Sequence, residues 1–195
     1  MDYLWSPWRF HYVTSVGQKT DCIFCRLVSE NNDAQNLVLL RRNHNVLMLN
    51  KFPYTAGHLM VVTQRHLARL AEASVVELNE MIQLARQCEG VLEKAYNPDG
   101  FNVGFNIGSS AGAGVAGHLH LHIVPRWKGD ANFVSVVGET RVIPEDLDAT
   151  YRRLHPYFHV PRDRANTQNG KNIKRRRPFE SDSPSKSCSR SHKCT

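Results

Sequence analysis

The sequence predicts an α+β fold: an antiparallel sheet of about five strands, one long helix packed on it, and a C-terminal helix. Three observations predict it. Short Val/Leu/Ile/Met-rich runs separated by Asn, Pro and Gly fill residues 38–63 and 101–125. A single capped helical stripe lies between them, at 74–96. The run His118-Leu119-His120-Leu121-His122-Ile123-Val124-Pro125 alternates with period two, which only a strand turns into two distinct faces.

In chain order, Leu4-Trp5-Ser6-Pro7-Trp8-Arg9-Phe10 marks an aromatic N-terminal segment, 1–21, expected to pack on the body. Val38–Arg42 and Val46–Lys51 read as strands joined by the turn formers Asn43-His44-Asn45. Pro53 and Gly57 punctuate the next link, and His58–Thr63 reads as a third strand. Ser74-Val75-Val76-Glu77 is a capping-box start. Leu78, Ile82, Ala85, Cys88 or Val91, Leu92 and Ala95 continue it as an apolar stripe, and Asn97-Pro98-Asp99-Gly100 ends it. Phe101–Ile107 follows as a strand, and the glycine-rich stretch Gly108–Gly117 leads into the histidine strand. Pro144-Glu145-Asp146 opens a last helix near Val142–Phe158, with Pro in its first turn and acids at the positive end of the dipole. The organisation expected is a main domain at 22–135, an extension with a helix at 136–161, and a disordered basic tail at 162–195.

The formal net charge of +7 comes from that tail: residues 1–161 hold fifteen Lys/Arg and fifteen Asp/Glu, and 162–195 hold ten and three. The domain is neutral, so its basicity does not mark a nucleic-acid binder. Lys174-Arg175-Arg176-Arg177 reads as a solvated run, with weak polyanion binding as the most it would contribute, and Cys188, His192 and Cys194 are given no role. No apolar run approaches the ~18 residues of a membrane span. Met1-Asp2-Tyr3-Leu4-Trp5 lacks the basic and apolar regions of a signal peptide, and five cysteines is an odd number. The expectation is a cytoplasmic protein with free or metal-bound thiols.

Along the histidine strand the three imidazoles share a face, spaced roughly 6.6 Å apart, while Leu119, Leu121 and Ile123 point to the core. Imidazole is suited to nucleophilic and proton-transfer work near neutral pH, and crowding disfavours charging all three. A second reading makes all three ligands of a catalytic metal. Such sites want a supporting carboxylate, and no Asp or Glu occurs between Gly100 and Lys128. Cys22-x-x-Cys25 has zinc-knuckle spacing, with a redox pair as the rival reading. The Gly108–Gly117 loop is either a flexible link or a cradle whose N–H groups approach phosphate oxygens.

The pattern His118-Leu-His120-Leu-His122-Ile-Val resembles the signature of the histidine triad (HIT) superfamily of nucleotide hydrolases and transferases. Asn50-Lys51-x-Pro53-x-x-x-Gly57-His58 is similar to that family's strand–turn–strand. The resemblance runs from about Cys22 to Phe133. Trp5-Ser6-Pro7-Trp8-Arg9 and Pro125-Arg126-Trp127-x-Gly129-Asp130-x-Asn132-Phe133 further resemble the branch of bacterial diadenosine tetraphosphate phosphorylases. The resemblance implies that His120 attacks the α-phosphorus and carries the nucleotide, that His122 binds phosphate or protonates the leaving group, and that His58 assists. It places Asn50 at the ribose, and Asn106, Gly112, Ala113, Gly114 and Val115 around the phosphates. It also implies a structural zinc held by Cys22, Cys25, His66 and His118, no organic cofactor, and a homodimer.

The function expected is nucleotidyl transfer on an adenine dinucleotide, with phosphorolysis of diadenosine tetraphosphate by inorganic phosphate leading. Ala113-Gly114-Val115 stands where hydrolase members usually carry a hydroxyl, which leaves room for an incoming oxyanion. Hydrolysis of dinucleoside polyphosphates or phosphoramidates is the alternative, and a zinc-stabilised nucleotide-binding module is the alternative of another class.

Overall fold

Five strands form one antiparallel sheet in the spatial order β1-β2-β3-β5-β4, in a computed structural model that describes residues 22–130 and 145–159. The segment 1–21, the stretch 131–144 and the tail 162–195 lie outside the described residues, and with them the aromatic opening, Asn132, Phe133 and the Pro144 helix start. The strands are β1 Val38–Arg41, β2 Asn45–Leu49, β3 Leu59–Thr63, β4 Gly100–Phe105 and β5 His120–Arg126. Among the described residues three α-helices accompany them: α1 Ile23–Ser29, α2 Val75–Tyr96 and α3 Leu147–His159. Every strand of β2 and β3 is buried along its whole length, so the centre of the sheet is covered on both faces.

One face carries Leu47, Leu49, Leu59, Val61, Leu121 and Ile123, and α2 and α3 pack on it through Met81, Leu84, Cys88, Leu92, Leu154 and Phe158. The other face carries Val46, Met48, Met60 and Val62 and is covered by Phe24 of α1. In the β3–β5 register Met60 pairs with His122 and Val62 with His120, so both histidines share this second face. That face is therefore a small core of its own, not an open surface.

The start of α2 forms as the sequence predicts. Ser74 caps it, its hydroxyl accepting from the Glu77 N–H, while Glu77 accepts from the Ser74 N–H. Asn97 closes it in the left-handed region, at φ 46°. Its buried stripe is Glu77, Met81, Leu84, Cys88, Val91 and Leu92, whereas Ile82, named from sequence, is 56% exposed and Leu78 half-buried. The stripe begins one residue earlier because a charged residue is drawn inward. Arg65 donates twice to the Glu77 carboxylate, at 2.7 and 2.8 Å, and the pair holds that acid down to about 2.

Other boundaries shift for local reasons. The fourth strand ends at Phe105, not Ile107, because the chain turns off through Gly108 at φ 83°. The last helix begins at Leu147, later than the expected Val142, with the Asp146 side chain accepting the Ala149 N–H at 2.6 Å. The Asn43-His44-Asn45 turn is fastened to α2: Glu80 accepts from the N–H groups of Asn43 and His44 and from the Asn45 side-chain amide. Among the described residues no helix is long and apolar enough to cross a membrane.

Candidate active site

The three alternating histidines differ in what each ring meets, and those neighbours set their tautomers. His118 lies just before β5, and the Thr63 carbonyl accepts its Nε2–H at 2.7 Å. The Nδ1 lone pair is left facing Cys22 Sγ at 3.2 Å. Two residues on, the His118 carbonyl accepts the Nδ1–H of His120 at 2.7 Å, which leaves the His120 Nε2 lone pair uncommitted. His120 is 4% exposed, and burial holds its pKa below the ordinary value against the opposing effect of that carbonyl. The result is a neutral imidazole with Nε2 left as an open lone-pair nitrogen.

His122 takes the opposite tautomer. The Tyr54 N–H donates to His58 Nδ1 at 3.1 Å, so neutral His58 carries its proton on Nε2. That Nε2–H lies 3.0 Å from His122 Nδ1, which accepts it and leaves the His122 proton on Nε2. Burial, with His120 adding to it, lowers His122 to about 4, so it donates as a neutral imidazole at pH 7. The His120 and His122 ring centroids are 4.8 Å apart at 75°. This is closer than the roughly 6.6 Å read from strand rise, because the rings lean edge to face.

His58 is itself buried under the turn that precedes β3, with the Tyr54 ring tilted at 43° against it, centroids 4.6 Å apart. Asn50 stands beside it: its Oδ1 accepts the Phe52 N–H at 2.9 Å, and its side-chain amide reaches the His58 ring at 3.4 Å. The Asn50–His58 turn is closed across its ends by the Asn50 N–H to the His58 carbonyl and tied at its middle by the Thr55 hydroxyl to the Pro125 carbonyl.

Cys22, Cys25, His66 and His118 converge. Their ligand atoms all lie within 4.8 Å of one another, with Cys25 Sγ 3.2 Å from His66 Nδ1 and 3.6 Å from His118 Nδ1. Two thiols and two imidazoles at these separations fit a tetrahedral ion, and the Thr63 carbonyl behind His118 is the orienting acceptor that a ligating histidine needs. The cluster can hold a metal ion. His120 and His122 are not part of it, so the described residues do not assemble the three-histidine metal centre that the strand alone allows.

The glycine-rich loop is more closed than its composition predicts. A short turn at Ser109–Ala111 uses the Gly112 and Ala113 N–H groups internally, toward the Ser109 and Gly108 carbonyls. Ala113 is buried, and Val115 packs against the Phe24 side of the sheet. Among the described residues the N–H groups of Gly114 and Val115, like those of Gly108, Ser109, Ser110, Ala116 and Gly117, make no hydrogen bond and are still able to meet an anion. Asn106 sits one residue past β4, half-buried.

Sequence reading missed three participants. The Thr63 carbonyl was reachable in principle, since an antiparallel β3–β5 pairing brings it opposite the residues before His120. Tyr54 and Phe24 were not, because a ring's partner depends on how a turn and a short helix settle. His120 is not on an open face: Phe24 of α1 covers the face on which it lies.

The HIT domain family model matches residues 31–129, and the chain belongs to that family. It is 37% identical over 158 residues to the AP-4-A phosphorylase of Mycobacterium tuberculosis, covering 77% of this chain and 81% of that protein. Over 93 residues it is 33% identical to the asymmetrical bis(5'-nucleosyl)-tetraphosphatase of Schizosaccharomyces pombe, 48% of this chain and 50% of that one. Among solved structures, a zinc-bound histidine triad family protein from Mycobacterium smegmatis superposes with a TM-score of 0.58 at 26% identity, over 71% of this chain and 93% of the other.

Proposed function

We propose that this protein is a nucleotidyl transferase that cleaves dinucleoside polyphosphates through a nucleotidyl-histidine at His120, with inorganic phosphate as the acceptor. The observation that carries the reading is the His120–His118 carbonyl bond, which commits Nδ1 as a donor and frees Nε2 for attack. Phosphorus can be attacked by neutral imidazole without removing a proton first. As the His120 Nε2–phosphorus bond forms at the α-phosphorus, the bond to the bridging oxygen breaks. The His122 Nε2–H meets the charge developing on that oxygen, and His58 holds His122 in the donating tautomer. A phosphate oxygen then bonds to the same phosphorus as the phosphorus–nitrogen bond breaks, and His120 is regenerated. Asn50, Asn106 and the Gly114 and Val115 N–H groups are the proposed ribose and phosphate contacts.

Phosphate as acceptor is supported by the M. tuberculosis relative and by the loop end Ala113-Gly114-Val115, which offers amides and no hydroxyl. The S. pombe relative supports water as the rival acceptor. Cys22, Cys25, His66 and His118 are the proposed ligands of a structural zinc, which when bound cross-links α1 to the strand carrying His120. A homodimer belongs to the same reading, supported by the edge position of β4 and its half-exposed Val103.

The test is incubation with diadenosine tetraphosphate with and without millimolar phosphate, resolving the adenylates. Phosphorolysis gives ATP and ADP, with ADP dependent on phosphate. AMP and ATP at millimolar phosphate would establish hydrolysis instead, and no cleavage would leave the binding-module alternative.

A further inference from the structure

Helix α1 buries one side chain, Phe24, and its ring lies against both histidines that organise the site. Its centroid is 5.1 Å from that of His120 at 52° and 5.5 Å from that of His118 at 73°. Phe24 stands between Cys22 and Cys25, whose sulfurs lie 3.2 and 3.6 Å from His118 Nδ1. The ring is therefore bracketed by the metal-binding thiols.

α1 has seven residues and no side-chain cap at its start. A helix so short does not hold itself together, so its place is set at its ends. At one end are the cysteines, and at the other Arg41 donates to the carbonyls of Leu27, Val28 and Glu30. His120, for its part, is tied at Nδ1 by a single hydrogen bond. One bond fixes a point and a tautomer but leaves the ring free to swing about that point. The edge of His122, 4.8 Å away, limits the swing from one direction. The Phe24 ring, its centroid 5.1 Å away, limits it further.

We propose that Phe24 is a positioning residue for His120, and that the Cys22/Cys25/His66/His118 cluster acts on the reaction through it by fixing where α1 places that ring. The inference rests on His120 being the nucleophile. It goes beyond it by making the cluster more than a fold clamp. In-line displacement tolerates little misplacement of the attacking atom: an error of ~1 Å can cost about 100-fold in rate.

The test uses the full chain with 15N-labelled histidine, zinc-loaded and zinc-depleted, as wild type, Phe24→Leu and Phe24→Ala. Leucine keeps an apolar side chain under the sheet and removes the flat ring. Imidazole 15N shifts report the His120 tautomer and its order, and kcat and KM are measured with diadenosine tetraphosphate. The expected result for Phe24→Leu is unchanged zinc content, a kcat lowered about 10- to 100-fold, and KM within about twofold of wild type. Its His120 signal keeps the Nδ1–H tautomer but is broadened by the freed ring, as it is in zinc-depleted wild type. A His120 signal and a kcat that match wild type in Phe24→Leu overturn the proposal, as does a loss of kcat that merely follows the folded fraction. If Phe24→Ala does not fold, Phe24→Leu decides. If wild type does not turn over the dinucleotide, the functional reading fails, and the 15N shifts alone decide whether Phe24 orders His120.

Discussion

Removing the proposed zinc is expected to release α1 while the sheet stays folded. The structure sets the scale. Ordering the seven residues of α1 costs about 1–2 kcal/mol each in backbone entropy, so about 7–14 kcal/mol. Burying Phe24 contributes about 2–3 kcal/mol. The three charge-assisted bonds from Arg41 contribute about 1.5–3 kcal/mol each. At their midpoints these terms cancel to within about 2 kcal/mol, so metal-free α1 opens readily. A structural zinc adds about 10 kcal/mol or more when its ligands are preassembled. The assay is native-state amide hydrogen exchange on zinc-loaded protein, chelated protein and Cys22→Ser. Amides of Arg26 and Glu30, which bond back to the Cys22 and Arg26 carbonyls, are expected to lose protection in the latter two. Amides of Val46, Val61 and Leu121, in strands packed under α2 and α3 as well, are expected to keep theirs. Undiminished protection of Arg26 and Glu30 after chelation would refute the reasoning, because it would mean α1 is held without the metal.

His120→Ala is expected to lower turnover of a dinucleotide by about three orders of magnitude or more. It should also lower the melting temperature, since the ring it removes is buried against Phe24; retention of about a tenth of the activity would reassign the nucleophile. Stability measured by urea at a series of pH values should fall in two stages as pH drops. His122, lowered from 6.5 to about 4 in the fold, contributes stability above pH 6.5 that is lost toward pH 4. Glu77, lowered from 4.5 to about 2, contributes stability above pH 4.5 that is lost toward pH 2, and Glu77→Gln should shrink that second stage to the share of Glu145, also held below its ordinary value, while sparing the first. Gly57→Ala places a side chain at φ +74° with its Cβ 3.1 Å from Leu92 and Tyr96. It should destabilise by about 1–3 kcal/mol in urea melts, and wild-type stability would show that the turn before His58 yields.

What the sequence made legible was whatever depends on period and punctuation. The alternation at 118–125, the Ser74–Glu77 start and the Asn97 stop each follow from local rules, and each stands in the structure where those rules put it. Glu77 shows where such rules end. A carboxylate counts as polar in any pattern, and its burial here follows from Arg65, twelve residues away and on another element. The stripe of α2 was therefore placed one residue late. The loop at Gly108–Gly117 shows the same limit from the other side. Its glycines announce conformational freedom, but which N–H groups remain available depends on the turn that the loop closes on itself.

The histidine strand carries the point furthest. Alternation puts His120 and His122 on one face, and by period alone they are equivalent. They are made different by what lies across from them in the register. Thr63, next to the β3 residue paired with His120, supplies the carbonyl that turns His118 toward the thiols; the His118 carbonyl in turn fixes His120 as an acceptor at Nε2; and His58, reached through the Tyr54 N–H, fixes His122 as a donor at Nε2. A proposed metal ligand, a proposed nucleophile and a hydrogen-bond donor thus arise from one repeated residue type. Shifting β5 by one residue against β3 would turn all three rings toward the α2 core. The strand pairing, which stability alone would select through Leu121 and Ile123, is for that reason also what assigns the chemistry.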